Sequence, residues 1–377
     1  MSSTSFSSKL TGCGARFSVY AGAEAPVSFG NPQDEFRALR AGCALLDLSW
    51  RAKLVLTGED RTRWLNGMVT NNTRDLPLNQ GNYNFVLNPQ GHIQGDLVVY
   101  NRGDHFLVST DCDQVEGIRE FFDRHIIMDD VEVTDISEKL ASVAIVGPDS
   151  RQVLDRVGIT LPELPPYQVH DLVWKGLGLT AARGPALLAG FELWMHPDNA
   201  APLWDSLVAA SAVPAGTQAW EWLLISLGIP RFRIDIRDRD LPQETGQQHA
   251  LHFTKGCYVG QEIVERVRSR GNVHRMFAGF RIQGAAPQPG AKIQWGGKEV
   301  GEITSAACIP ALTTRDSDIT GASSPSTKSA ENSARFAAKD SDITLALGYI
   351  RREAASPGTE VQIGPDMARV ESLPFSI

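Results

Sequence analysis

Apolar and polar positions along this chain fall into a few recurring rhythms. From Lys53 to Thr57 ("KLVLT") they alternate as in a half-buried strand. The chain then turns at Gly58, and the stretch after Asp60 puts Trp64, Leu65 and Met68 on one side, which predicts a helix with Asp60 as its cap. The plan returns over 140–158: an apolar strand, a Gly-Pro turn, Asp149 or Ser150 as cap, and a helix stopping at Gly158. Each unit carries Gly-x-Asp with a leucine five residues after the aspartate. The shared plan predicts two similar α+β subdomains within residues 31–274, meeting near residue 138; a chance likeness of two strand–turn–helix units is the alternative. Between them "HIQGDLVVYNRGDHFLVST" predicts a hairpin, "DQVEGIREFFDRHI" a helix and "VEVTDI" a strand; later "GFELWMH" predicts a strand and "APLWDSLVAAS" a helix.

After Gly271 the texture changes. "MFAGFRI", "AKIQWGG", "EVGEITSA", "LALGYI" and "TEVQIG" are short strands between Gly and Pro turns, which predicts a β-barrel domain over 275–377. A polar Ser/Ala/Asp-rich segment interrupts it, with "DSDIT" at both 316–320 and 340–344. It has too little apolar surface to offset its ordering entropy, so a flexible insert is expected over 313–341.

The chain has 377 residues, 42% hydrophobic and 21% charged, the balance of a globular protein of two or three domains. A net charge of −8 speaks against direct nucleic-acid binding, which needs clustered Lys and Arg. The sequence has no apolar run of membrane-spanning length, so no membrane partner is expected. Residues 1–30 are serine-rich at the start and lack the apolar stretch of a secretory signal, which predicts a disordered tail. The five cysteines are scattered, with no CxxC and no zinc-ligand spacing. That is the pattern of free thiols in a reducing compartment: cytoplasmic, or the mitochondrial matrix in a eukaryote, with no metal site expected.

The chemistry concentrates in "KGCYVGQEIVERVRSRG", Lys255–Gly271. A helix is expected from Gln261, with Glu262 and Arg266 spaced to pair across one turn. Cys257 then lies just before a helix N-terminus and two residues from Lys255, an arrangement that favours a thiolate. Gly256 and Gly260 let the backbone approach a ligand. An inert cysteine in a packed loop is the alternative.

"KGCYVGQE" resembles the signature of the YgfZ-type folate-binding proteins, relatives of the aminomethyltransferase (T-protein) of the glycine cleavage system, in the GcvT superfamily. "LTGEDRTRWLNGMVTNNT", "NPQGHIQGDLVVY", "GFELWMHPDNAAPLWDSL", "GIPRF…DI…LPQETG" and "GEITSA" look like that superfamily in the same order, over roughly residues 35–310 and again from about 345. The resemblance implies an α+β fold, a three-domain cloverleaf with a C-terminal β-barrel, around a central channel for tetrahydrofolate or a one-carbon derivative. It implies support of iron–sulfur cluster assembly or repair, with assembly or client proteins as partners beside the reduced folate. By motif, Glu192 matches the acid that holds the pterin, a task a carboxylate performs by accepting two N–H bonds. Asp96 matches or adjoins the transferase's working aspartate, and Asn71 and Asn72 match a loop facing the channel. Cys257 and Lys255 become the reactive pair, with Tyr258, Gln261 and Glu262 beside the ligand.

Two departures weigh against aminomethyl transfer. Gly95 stands where the transferase has the first of two adjacent acids, and Leu224 and Ser226 replace an arginine and a glutamate of the family helix. Losing the arginine removes a bidentate donor, which Arg231 or Arg233 would partly replace. An aminomethyltransferase and a non-catalytic adaptor remain the alternatives.

Overall fold

The computed structural model describes residues 2–271, 273–311 and 342–377. The insert expected over 313–341 lies outside them. Residues 1–223 with 231–273 form one unit and 224–230 with 274–377 another.

The first unit contains two largely antiparallel sheets, four strands of each following one plan. The first sheet runs Gly81–Leu87, Ile93–Asn101, Phe106–Asp111, Arg51–Thr57, Glu132–Asp135 in spatial order. The second runs Val169–Trp174, Leu177–Arg183, Gly190–Met195, Ala141–Val146, Ala44–Asp47, and ends on a parallel pairing with Val213–Pro214. Arg51–Thr57 and Ala141–Val146 hold the same place in the two sheets. Each passes through a positive-φ glycine, Gly58 (φ +100°) or Gly147 (φ +126°), into a short helix, Arg61–Met68 or Ser150–Arg156. A Cβ on Gly58 would sit 2.0 Å from the Asp130 carbonyl oxygen, and one on Gly147 would sit 2.3 Å from that of Gly42. Only glycine fits either turn.

Strand alternation builds three layers. Leu54, Leu56, Leu97 and Val99 pack under Trp64, Phe121 and Phe122 of the helices on the outer side of the first sheet. Val143, Ile145, Leu193 and Met195 do the same for the second sheet, against Leu154 and Trp204. The opposite faces meet each other, with Val55, Tyr100 and Leu107 of the first sheet in one cluster with Val169, Ala182 and Trp194 of the second.

Three expectations are corrected. The predicted disordered tail is ordered: Ser2–Gly12 is a helix, and Arg16–Tyr20 pairs with Ala23–Ser28. Leu10 is fully buried, and Phe6 meets Trp204 edge-on at 5.7 Å, so contacts distant in sequence supply what the Ser-rich stretch lacks. Neither Asp60 nor Asp149 caps its helix through the side chain. Asp60 instead accepts the Asp130 N–H at 3.0 Å, and Ser150 donates to the Gly147 carbonyl. Nor is the second subdomain one stretch beginning near 138, because Ala44–Asp47 pairs with Ala141–Val146.

The second unit is a closed barrel in the order Arg275–Ile282, Ile343–Arg351, Lys298–Ile309, Lys292–Trp295, Glu360–Ile363, Asp366–Glu371. Alternate residues, among them Phe280, Ile293, Ile303, Ile350, Val361 and Val370, fill it. The α+β class and the C-terminal barrel are as expected.

Candidate functional site

The first sheet's inward face grades from apolar to charged along its strands. Val55, Leu107 and Tyr100 lie at one end. One step on, Lys53 stands opposite Ser109, and one step further Arg51 stands opposite Asp111. Continuing the Val98–Ser109 register brings Asp96 beside Asp111. The charged end thus gathers Arg51, Lys53, Asp96 and Asp111, and the second sheet adds Glu192.

Lys53 is completely buried. Its Nζ donates to Glu192 Oε1 at 2.8 Å and to Ser109 Oγ at 3.0 Å, and lies 5.3 Å from the centre of the Trp194 ring. Arg51 pairs with Asp111 at 2.5 Å and donates to Ser109 Oγ at 2.8 Å. Burial alone would raise the Glu192 carboxyl, but Lys53 and then Arg51 outweigh it and hold it below the usual range. Burial drags the Lys53 ammonium down while Glu192 opposes it. The short contact, with Ser109 as second acceptor, is that of an ion pair. The Glu192 side chain keeps 18% of its surface accessible where Lys53 keeps none, so the carboxylate is the open member of the pair and the amine lies behind it.

Asp96 accepts from the Tyr83 hydroxyl at 2.6 Å and from the Gln114 amide at 2.8 Å. Burial and then Asp111 push its carboxyl up, against these two donors. Strand alternation settles what Gly95 means. A Cβ there would meet Ile118 at 3.2 Å and Gln114 at 3.4 Å, on the helix side of the sheet. An acid at 95 would point away from the charged face, and Asp96 is the residue that points into it.

Asn71 and Asn72 shape the neighbouring loop. Asn71 Nδ2 donates to the carbonyls of Tyr83 at 3.1 Å and His249 at 2.8 Å, while Asn72 Oδ1 accepts from Arg74 N at 3.1 Å. Their side chains serve the turn, and the His249 ring lies 5.4 Å from that of Tyr83. Arg231 is bound to Glu221 and Asp235, so its charge is not free to replace the missing arginine. Arg233 is the more open of the two, 3.9 Å from Asp113. Leu224 and Ser226 are buried.

Cys257 is exposed on a loop pinned at both sides. Lys255 is buried and donates to the carbonyls of Val69, at 2.6 Å, and Asn71. Tyr258 is buried against Phe85, Leu87 and Ile93. Val259 N donates to Gly67 O at 3.1 Å, and at Gly260 a Cβ would be 2.6 Å from the Asn88 carbonyl oxygen. The expected partnership of Lys255 with the thiol is not what its hydrogen bonds serve: the amine turns inward and fastens the loop to the Asn71 turn. Burial, with a smaller push from Arg74, lowers that amine to about 7. Cys257 also precedes the helix Gln261–Arg270 by more than one position, because Gly260 is the cap. Gln261 N donates to Tyr258 O at 3.2 Å, and Glu262 pairs with Arg266 at 3.0 Å on the solvent side. The charged face and the thiol loop are therefore two places, joined by hydrogen bonds from Lys255 to Asn71, from Asn71 to Tyr83 and from Tyr83 to Asp96.

Sequence reasoning missed Lys53, Arg51, Asp111 and Tyr83. The signal was "RAKLVLT", where two cations occupy alternate positions of an otherwise apolar strand. Among the described residues no group of His, Cys, Asp and Glu is placed to hold a metal ion. None of their helices is long and apolar enough to cross a membrane.

An α+β pair of like sheets with a separate six-stranded barrel, and an acid-rich face between the sheets, defines the class. The family model for the GCVT N-terminal domain matches residues 6–255, and the chain belongs to this family. An aminomethyltransferase of Rubrobacter xylanophilus is 31% identical over 303 residues, covering 79% of this chain and 81% of that protein. A putative chloroplastic transferase of Arabidopsis thaliana is 27% identical, covering 92% of this chain and 74% of its own. The crystal structure of the glycine cleavage system aminomethyltransferase T from Bartonella henselae superposes with a TM-score of 0.81 at 20% identity, over 98% of this chain and 96% of that one.

Proposed function

We propose that this is a YgfZ-type protein that binds tetrahydrofolate, or a one-carbon derivative, at the Glu192 face, and uses Cys257 to support assembly or repair of iron–sulfur enzymes. Its partners are then the reduced folate and the assembly or client proteins. The observation that supports this reading best is the placement of Cys257. Its side chain is exposed between two buried anchors, Lys255 and Tyr258, on a loop that ends at Gly260, where a side chain would clash with the Asn88 carbonyl. A thiol held out in this way can meet a protein partner. The donor set also suits a reduced pterin: the accessible edge of Glu192 can accept N–H groups from the aminopyrimidine ring, with Asp96 as a second acceptor.

A second reading, folate-dependent aminomethyl transfer, draws support from Asp96, which faces the same space as Glu192 even though Gly95 has lost its acid. One pair of measurements separates the two. Cells depending on Cys257→Ser should lose activity of iron–sulfur enzymes while glycine cleavage, assayed with a lipoylated carrier protein, is unaffected. Full rescue by a folded Cys257→Ser protein, or aminomethyl transfer by the purified wild type, would remove the iron–sulfur reading.

A further inference from the structure

The completely buried lysine between the two sheets is not explained by the fold. Burying an ammonium is costly unless it is paired, and an apolar pair of similar volume serves stability as well or better. The architecture does not call for a charge there. Matching the two sheets on Gly58 and Gly147 puts Ser142 in the place of Lys53 and Leu107 in that of Glu192. The second sheet does without a cation at the position where the first buries one.

We propose that Lys53 is a positioning residue for ligand recognition: it clamps one oxygen of Glu192 and leaves the other, ionised and fixed, to accept the ring N–H groups of a reduced pterin. The proposal rests on the folate reading above. Three contacts hold the ammonium in place: Glu192 Oε1 at 2.8 Å, Ser109 Oγ at 3.0 Å and the Trp194 ring at 5.3 Å. Ser109 in turn accepts from Arg51, which Asp111 anchors, so the lysine cannot swing without disturbing a second ion pair. The exposure difference fixes the direction of action: Glu192 is partly accessible and Lys53 is not, so Lys53 acts through Glu192 and never touches the ligand.

The test is a double-mutant cycle on the full-length protein, reading tetrahydrofolate affinity by anaerobic calorimetry for wild type, Glu192→Gln, Lys53→Met and the double variant. Lys53→Met should weaken binding by about 10- to 150-fold, the range for losing a hydrogen bond to a charged group. The double variant should bind within about twofold of Glu192→Gln, because both act through one contact. Lys53→Gln, which keeps a donor for Glu192 and Ser109, should fall between and stands in if the methionine variant does not fold. A ligand-free readout accompanies it: the Glu192 carboxyl, followed by carbon NMR across pH, should titrate higher in Lys53→Met than in wild type. The other groups acting on that carboxyl are Arg51, Tyr100 and Trp194, and all are unchanged. Wild-type affinity in a folded Lys53→Met protein, multiplying effects in the double variant, or an unmoved Glu192 titration would overturn the proposal. Absence of tetrahydrofolate binding by the wild type would instead strike the folate reading, while the titration still decides whether Lys53 holds Glu192.

Discussion

The two sheets of the first unit share the order of four strands, a helix after the first of them and the turn glycine before it, yet their facing surfaces differ. The first sheet carries Arg51, Lys53, Asp96 and Asp111; by register the second has Leu140, Ser142, Gly178 and His196 in those places. Stability comes from the apolar layers that both halves possess, and those layers are interchangeable in kind. The charged row is asymmetric, costs desolvation, and is completed by a single residue from the other side, Glu192. The charged groups stand on one sheet and are answered by one side chain of the other.

The largest effect should come from what the halves have in common. Alanine at Gly58 or at Gly147 should cost about 3 kcal/mol or more at either site, through a strained positive φ and a backbone clash. Denaturant unfolding would show it, and a mild effect at one site alone would break the equivalence. The next tests address the difference. Leu107→Ala should cost about 2–5 kcal/mol of stability as a core truncation. Its counterpart Glu192→Gln, which keeps an oxygen to accept from Lys53, should instead cost about 1.5–3 kcal/mol of folate binding, or about 10- to 150-fold in affinity. Equal losses of both kinds in both variants would mean that the face is not divided as described.

The smallest effect concerns a carboxylate of the second sheet. Asp47 is buried, and burial raises it to about 6 although Ser49 donates to it. Among the described residues no ion pair relieves it, unlike Asp111 with Arg51. A raised folded value means the neutral acid is preferred, so its penalty is absent below about 4, grows as pH rises to about 6 and is constant above. The melting temperature of Asp47→Asn relative to wild type should therefore climb across that window and then level. A difference that shrinks with rising pH would contradict the assigned cause.

How far the sequence could lead depends on which neighbours a residue needed. The strand–glycine–helix units and the barrel strands are local patterns, and the structure contains them. Glu192 and Asp96 were reachable through motifs. Lys53 was not, because alternation in "KLVLT" groups it with Val55 and Thr57 on the polar side of a strand, and only a second sheet packed on that side turns it inward. Residues 1–30 failed for the same reason: Phe6 and Leu10 are isolated apolar residues in a Ser-rich stretch until they join the core that holds Trp204, far along the chain. Lys255 sits beside Cys257 in sequence, but its hydrogen-bond partners, the carbonyls of Val69 and Asn71, lie well upstream.

The pairing of Ala44–Asp47 with Ala141–Val146 bears on how the molecule is made. The whole first sheet, Arg51 to Asp135, lies in the chain between those two strands. On the ribosome it emerges complete and can close at once, while Ala44–Asp47, whose Leu45 and Leu46 are fully buried in the finished protein, waits roughly a hundred residues of synthesis for its partner. A nascent chain arrested before Ala141 would present the first sheet's charged row, still without Glu192, beside an uncovered apolar strand edge, the kind of surface a chaperone holds until the rest arrives.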